Sequence, residues 1–257
     1  MYKVLTAILL VFIGVSSATR SFNTPANNLQ RLTSDNRDKN VGVDLCPTCI
    51  DEAVSAINVI LNVILDEGIL GTCGDLCGIV ANKTSKFVGE VCDIACDAVG
   101  LDEFIRLIIT VDLDPIWYCE MAKMCEINDS GDAKFTNFGV YPNTGPQGTT
   151  FIIDCSYKTI NGTGTSMLTL NIVDSHNETS GNDFLVEAKK PGTYPEKIAL
   201  KTVSAWNCDP VKGVCDDFPV GTYNVTALLC NGECGSHHPH SGTYDVGQAQ
   251  FTVTKKK

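Results

Sequence analysis

The chain has 257 residues, 30 acidic against 19 basic, for a formal net charge of −11. That balance argues against nucleic acid as a partner, because neutralising a phosphate backbone takes clustered Lys and Arg. The one basic cluster, Lys255-Lys256-Lys257, reads as an exposed terminus, and the length allows two modest domains.

The N-terminus carries an export signal. Lys3 precedes the apolar run Ala7-Ile8-Leu9-Leu10-Val11-Phe12-Ile13, and Ser16-Ser17-Ala18 offers a small-residue cleavage site, so residues 1–18 read as a signal peptide. The run is too short to span a bilayer, and no second apolar segment of about 20 residues follows it. The ending Thr252-Val253-Thr254-Lys255-Lys256-Lys257 is not a lipid-anchor tail, and the expectation is a secreted, extracellular protein. Thirteen cysteines, all beyond Ala18, then read as a disulfide framework formed in an oxidising compartment. Acceptor sequons at Asn82, Asn128, Asn161, Asn177 and Asn224 point to a glycoprotein.

Residues 19–43 are rich in Asn, Asp, Ser, Thr and Arg without an apolar period and read as a polar, disordered lead-in. From Cys46 helical spacing sets in. Ile50, Val54, Ile57, Ile60, Leu61 and Ile64 recur on one face, with Asp51 and Glu52 near the start and Gly68 after the end. Val59, Ile60, Val63, Ile64 and Leu65 crowd the middle of this helix with more apolar surface than one narrow face hides, an excess that lipid or another protein would cover. Further helices are predicted over 70–81, 86–99 and 101–110, with Asn82-Lys83-Thr84-Ser85 as a surface turn. Leu113-Asp114-Pro115 turns the chain before a last segment through Cys119 and Cys125.

Beyond Asp129 the composition shifts to Gly, Thr, Asn, Val and Tyr. Alternating runs at 150–157, 166–173, 197–203, 221–229 and 248–253, separated by Gly, Pro and Asn, predict an antiparallel β-sandwich of immunoglobulin-like type. The expected architecture is therefore α + β and multidomain: an all-α, disulfide-stapled domain over 44–127 followed by an all-β domain over 128–257.

Cysteine spacing organises the helical part. Cys73 and Cys77 are four apart, as are Cys92 and Cys96, so each pair lies on one helix face. If the two helices run antiparallel, Cys73 meets Cys96 while Cys77 meets Cys92. Cys46-Pro47-Thr48-Cys49 also has the form of a zinc or redox half-site, but in an exported chain a structural disulfide is the stronger reading.

The opening Cys46-x2-Cys49, the paired inner cysteines and the close Leu113-Asp114-Pro115-Ile116-Trp117-Tyr118-Cys119, with Cys125 beyond it, resemble a saposin B-type domain spanning Asp44 to Cys125. Together with the spacing, that resemblance implies nested bridges: Cys46 to Cys125 and Cys49 to Cys119 outside, Cys73 to Cys96 and Cys77 to Cys92 within. Saposin-like proteins bind or perturb lipids, and amoebapores of that fold make pores. A closer resemblance covers most of the mature chain. Leu70-Gly71-Thr72-Cys73-Gly74-Asp75-Leu76-Cys77, Phe138-Gly139-Val140-Tyr141-Pro142 and Gly145-Pro146-Gln147-Gly148-Thr149-Thr150-Phe151 look like the countin family of social amoebae. Countins are secreted subunits of a counting factor, a complex that limits multicellular group size through cell adhesion and motility. The resemblance implies partners among the other subunits of such a complex and at a cell-surface receptor, and it brings no catalytic residues.

Two departures from the plain saposin pattern matter. The extra cysteine pair stiffens the central hairpin, which hinders the opening that lipid extraction needs. Lys83, Lys86, Arg106 and Lys123 are also outnumbered by carboxylates, among them Asp51, Glu52, Asp66, Glu67, Asp93, Asp97, Asp112 and Asp114. An anionic membrane repels that surface at neutral pH, so any lipid activity is expected to rise as pH falls.

The β-domain holds Cys155, Cys208, Cys215, Cys230 and Cys234, an odd count that leaves one unpaired or available to another chain. Cys208 and Cys215 suit a local loop. Cys155 has Cys230 as a candidate, resembling an immunoglobulin inter-sheet bridge, or Cys234. Strand alternation puts Asn224 and Cys230 on one face although a glycosylated Asn224 must face solvent; a bulge, or pairing of Cys230 with Cys234, resolves this. His237-His238-Pro239-His240 is a metal-like cluster beside Cys234, but Gly235, Pro239, Ser241 and Gly242 mark it as an exposed loop. Tyr223, two residues after Gly221, suits a tyrosine corner.

No G-x-S-x-G, H-E-x-x-H or G-x-x-x-x-G-K-[ST] motif is present, and neither a catalytic site nor a metal nor a cofactor is expected. The reading that results is a non-enzymatic secreted signalling or interaction protein. The alternative is a lipid-binding or membrane-perturbing protein, with an activator of a separate hydrolase as a third.

Overall fold

A computed structural model describes residues 29–32, 45–67, 71–83, 86–110, 114–202 and 218–255. The signal segment, most of the lead-in, the loop holding Cys208 and Cys215, and the side chains of Val63, Ile64 and Leu65 lie outside that description. The described residues fall into a helical unit and a β unit.

The helical unit contains α1 (Cys46–Glu67), α2 (Cys73–Lys83), α3 (Lys86–Val99), α4 (Leu101–Thr110) and α5 (Pro115–Met121). Local chemistry sets the boundaries. Thr72 caps α2, its Oγ1 accepting the Asp75 amide at 3.2 Å while its hydroxyl donates to the Asp75 carboxylate at 2.7 Å, so the helix starts at Cys73 rather than at Leu70. Gly100 ends α3 at φ +85°, a left-handed position that glycine adopts without strain. Asp114 caps α5 by accepting the Trp117 amide at 2.8 Å, and Pro115, which lacks an amide hydrogen, takes the first helical position. The α2–α3 hairpin is held by its cysteines and, one turn on, by close packing: a Cβ at Gly89 would sit 2.3 Å from the Ala81 Cβ. Ile60, Leu76, Val80, Phe104 and Ile105 fill the small core around the inner cysteines.

The β unit is two five-stranded sheets. The first has the order β1 (Leu29–Arg31), β8 (Lys197–Lys201), β4 (Thr150–Thr159), β2 (Lys134–Tyr141), with β7 (Gly192–Tyr194) also pairing β4. The second runs β3 (Thr144–Pro146), β10 (Gly242–Thr254), β9 (Gly221–Asn231), β5 (Ser166–Val173), β6 (Thr179–Val186). Pairing is antiparallel except between β3 and β10. Alternation aims Phe151, Ile153, Cys155 and Tyr157 of β4, Leu168, Leu170 and Ile172 of β5, and Tyr223, Val225, Ala227 and Leu229 of β9 into one core. Phe251 bridges the two sheets, its ring 4.4 Å from that of Phe151 and 4.9 Å from that of Tyr223. The alternating runs do not mark β2, β3, β6 or β7: β6, Thr-Ser-Gly-Asn-Asp-Phe-Leu-Val, is too polar to stand out by period.

One expectation is corrected. Within the polar lead-in, Leu29–Arg31 forms β1 against β8, with Leu29 packed on the core. Arg31 Nε and Nη2 donate to the two oxygens of Glu196 at 2.8 and 2.6 Å, and Nη1 donates to the Leu185 carbonyl at 2.8 Å. Polar composition concealed this strand because its anchor is a charge pair 165 positions away.

Candidate functional site

Four disulfides brace the helical unit: Cys46–Cys125, Cys49–Cys119, Cys73–Cys96 and Cys77–Cys92. They close loops with sequence separations of 79, 70, 23 and 15. A 15-residue loop alone is worth about 3 kcal/mol through restriction of the unfolded chain. Cys46 and Cys49 are therefore tied to α5 and the turn after it, leaving no zinc or redox half-site.

Outside the bridges the helical surface is acidic. On α3, Glu90 and Asp97 are exposed, Asp93 is partly so, and Ile94 beside them is 62% exposed. Lys86 lies 3.7 Å from Glu90 and Arg106 pairs with Glu103 at 2.5 Å, both pairs largely in solvent. The Arg106 guanidinium lowers the Glu103 pKa and is itself raised in return. The Ser236–His240 segment clusters with this unit, where the His238 ring stacks on Trp117 at 4.1 Å and 8°. The histidine loop is thus packed rather than simply exposed, and among the described residues no group of three or more His, Cys, Asp or Glu side chains is placed to hold a metal ion.

In the β unit Cys230 pairs with Cys234, and Cys155 is a buried free thiol in the core. The inter-sheet bridge considered for Cys155 is therefore absent. Geometry resolves the conflict over Asn224, which is exposed while Cys230 is buried six residues on. β9 pairs with β5 without a register shift, so Cys230 stays on the face of Asn224, and its bridge to Cys234 is what covers it there. Burial, with Glu196 and Asp154 adding to it, drives the Cys155 pKa far upward, so the group is an inert thiol. Tyr223, 2% exposed, donates its hydroxyl to the Pro219 carbonyl at 2.7 Å, the bond of a tyrosine corner.

Asn82, Asn161, Asn177 and Asn224 are exposed. Asn128 is half-buried and built into a turn: its Oδ1 accepts the Ser130 amide at 3.2 Å and its Nδ2 donates to the Asn161 carbonyl at 3.2 Å. Nearby, the Asp132 carboxylate accepts amides of Asn161 at 2.6 Å and Ile160 at 3.0 Å and the Thr159 hydroxyl at 3.2 Å. These bonds, the Asn161 amide first, hold its pKa below the usual range.

The two outer sheet faces differ in chemistry. The outer face of the β9 sheet carries hydroxyls and amides, among them Thr169, Asn171, Asn224, Thr226, Gln248 and Gln250, and Gln250 donates to Asn224 at 2.7 Å. The outer face of the β4 sheet carries lysines, with Asp154 directly opposite Lys197. Lys134 and Lys158 are directly opposite in register, and Lys197 and Lys201 bound β8. Between Lys197 and Lys201, Tyr141, Ile152 and Ala199 form a row across three strands, exposed at Tyr141 and buried at Ala199. Strand alternation in Lys197-Ile198-Ala199-Leu200-Lys201 places both lysines and Ala199 on one side.

The Countin N-terminal domain family matches residues 44–123, and the Countin C-terminal domain family matches 133–257. Countin-1 of Dictyostelium discoideum is 36% identical over 82% of this chain and 78% of its own length. Countin-2 of the same organism is 32% identical over 82% and 78%, and Countin-3 is 32% identical over 81% and 89%. Among solved structures, the C-terminal domain of wzt is similar over 51% of this chain and 83% of that chain, at 9% identity and a TM-score of 0.36.

Proposed function

The chain belongs to the countin family, and from that membership we propose that it is a secreted, non-enzymatic subunit of a counting-factor-like complex that limits multicellular group size through adhesion and motility. The observation that carries this reading is similarity to Countin-1 over both halves of the chain at once, so that the helical and β units arrive as one inherited pair. The build of both units supports it. Disulfides suit an extracellular address, and no described helix is long and apolar enough to cross a membrane. The helical unit is read as saposin-like on its nested bridges, and the β unit as immunoglobulin-like on its two packed sheets and tyrosine corner. Rigidity of the α2–α3 hairpin, with two bridges and the Gly89–Ala81 contact, favours recognition over the opening that lipid extraction requires.

Deletion of the gene tests the proposal. Larger or unregulated multicellular groups are expected, restored by adding back the secreted protein; unchanged groups, with no close relative substituting, would overturn it. Native purification adds a second arm: co-migration with defined protein partners is expected, whereas a lipid-loaded monomer supports the lipid-binding alternative.

A further inference from the structure

β1 reaches its sheet differently from every other described strand. It precedes the helical unit in sequence, whereas β2 to β10 all follow that unit. The helical unit opens at Cys46 and closes on itself at Cys125, the two Cα atoms standing 4.7 Å apart across their bridge. No cysteine occurs before Cys46, so no disulfide holds the lead-in, and release of β1 breaks no covalent tie. The 14 residues between Arg31 and Cys46 reach about 50 Å when extended.

The site that β1 fills is built without it. β4 holds β8 over five register pairs, from Thr150 with Lys201 to Asp154 with Lys197, against three between β8 and β1. Glu196 is fixed from the β4 side: its carbonyl accepts the Cys155 amide at 2.8 Å, and its amide donates to the Ser156 hydroxyl at 3.2 Å. What β1 adds lies within three residues. Its backbone pairs from Leu29 with Leu200 to Arg31 with Ile198, Leu29 packs on the core, and Arg31 donates to both oxygens of the buried Glu196 carboxylate. Arg31 also reaches the Leu185 carbonyl of β6, so this strand ties the edges of the two sheets together. An extended segment with an apolar side chain two positions before an arginine meets all of these demands, and every copy of the chain carries one.

We propose that β1 is an exchangeable strap: when it lifts, the β8 edge accepts the Leu29–Arg31 segment of a second copy, and two chains joined this way each complete the other's sheet. The exchanged strand makes the contacts that the chain's own strand makes, so exchange forfeits only the advantage of the tether. A bare β8 edge presents unpaired backbone groups and a buried carboxylate that has lost its guanidinium, and both favour capture of a replacement strand. This goes beyond the function proposed above, which group size tests independently.

Charge reversal in the full secreted chain tests it. Arg31→Glu sets two carboxylates against each other and Glu196→Arg two guanidiniums, so in either variant alone β1 meets a like charge in its own chain and in an identical partner. In an equimolar mixture every cross-chain pairing joins opposite charges. Sedimentation velocity over a concentration series should show association in the mixture at least about tenfold tighter than in either variant alone. R31E/E196R in one chain restores the pair internally and should recover the Tm that the single variants lose, with circular dichroism as the folding control. A mixture of folded variants that associates no better than its components overturns the proposal. If Glu196→Arg does not fold, or the double variant does not recover, a synthetic peptide of residues 26–33 decides. Added to Arg31→Glu, whose own strand no longer docks while Glu196 remains, the peptide should give saturable NMR shifts centred on β8, and the same peptide carrying Arg31→Glu should give none. No saturable binding, or equal binding of the two peptides, then overturns the proposal.

Discussion

At the scale of single residues, two side chains have roles set by what surrounds them. Cys155 carries a thiol in the core, where its anion is disfavoured by burial and by nearby carboxylates. Native protein treated with a maleimide should leave the Cys155 peptide unmodified, and label should appear there only after unfolding; rapid native labelling would contradict the burial. Asp132 behaves in the opposite sense. Its folded pKa lies below the unfolded value, so the stability it contributes is present above the unfolded pKa, near about 4, and is lost as pH falls through the folded pKa. Asp132→Asn should therefore lower the Tm near neutral pH, with the gap to the wild type closing below about pH 4. A constant gap across that range would mean that shape, not charge, is the contribution. The odd cysteine was visible in the count, but its location was not, because a covalent choice among five thiols depends on which strands become neighbours.

At the scale of elements, β1 shows how a short segment becomes part of a distant sheet. Three residues cannot hold a strand by backbone bonding alone; Leu29 adds apolar contact, and Arg31 neutralises Glu196, which is 4% exposed. Removing the guanidinium strands a buried carboxylate. Arg31→Ala is expected to destabilise the β unit by about 3 kcal/mol, and Arg31→Ala with Glu196→Gln by clearly less, both measured by urea unfolding. Equal losses would show that the pair is not coupled. The helical elements were far more legible, because capping at Thr72 and Asp114 and the stop at Gly100 are short-range chemistry. β6 is illegible in its own sequence for the converse reason: its pairing with β5 is imposed by the neighbouring strand rather than by its own period.

At the scale of the whole molecule, sugar placement and charge placement decide which surfaces remain open to partners. Four sequon asparagines are exposed, while Asn128 is committed to a turn through both ends of its amide. Glycopeptide mass spectrometry of the secreted protein should find the lowest occupancy at Asn128, with Asn224 among the well-occupied sites; full occupancy at Asn128 would show that modification precedes formation of that turn. A sugar on Asn224 covers the hydroxyl-rich sheet and leaves the lysine face clear, a division that a net charge of −11 does not reveal.

Local sequence was enough to set the order of an α part and a β part, the limits of most helices though not of α2, the face on which each paired cysteine of the helical hairpin lies, and, through its motifs, the family. These depend on spacings of four, three or two residues and on capping within one turn, and such interactions are written in neighbouring positions. The pairing of Cys230 with Cys234, the burial of Cys155 and the docking of β1 through Arg31 and Glu196 are set by tertiary packing. Each of these depends on which strand lies beside which and in what register, a long-range outcome of packing two sheets around one core that no local period records.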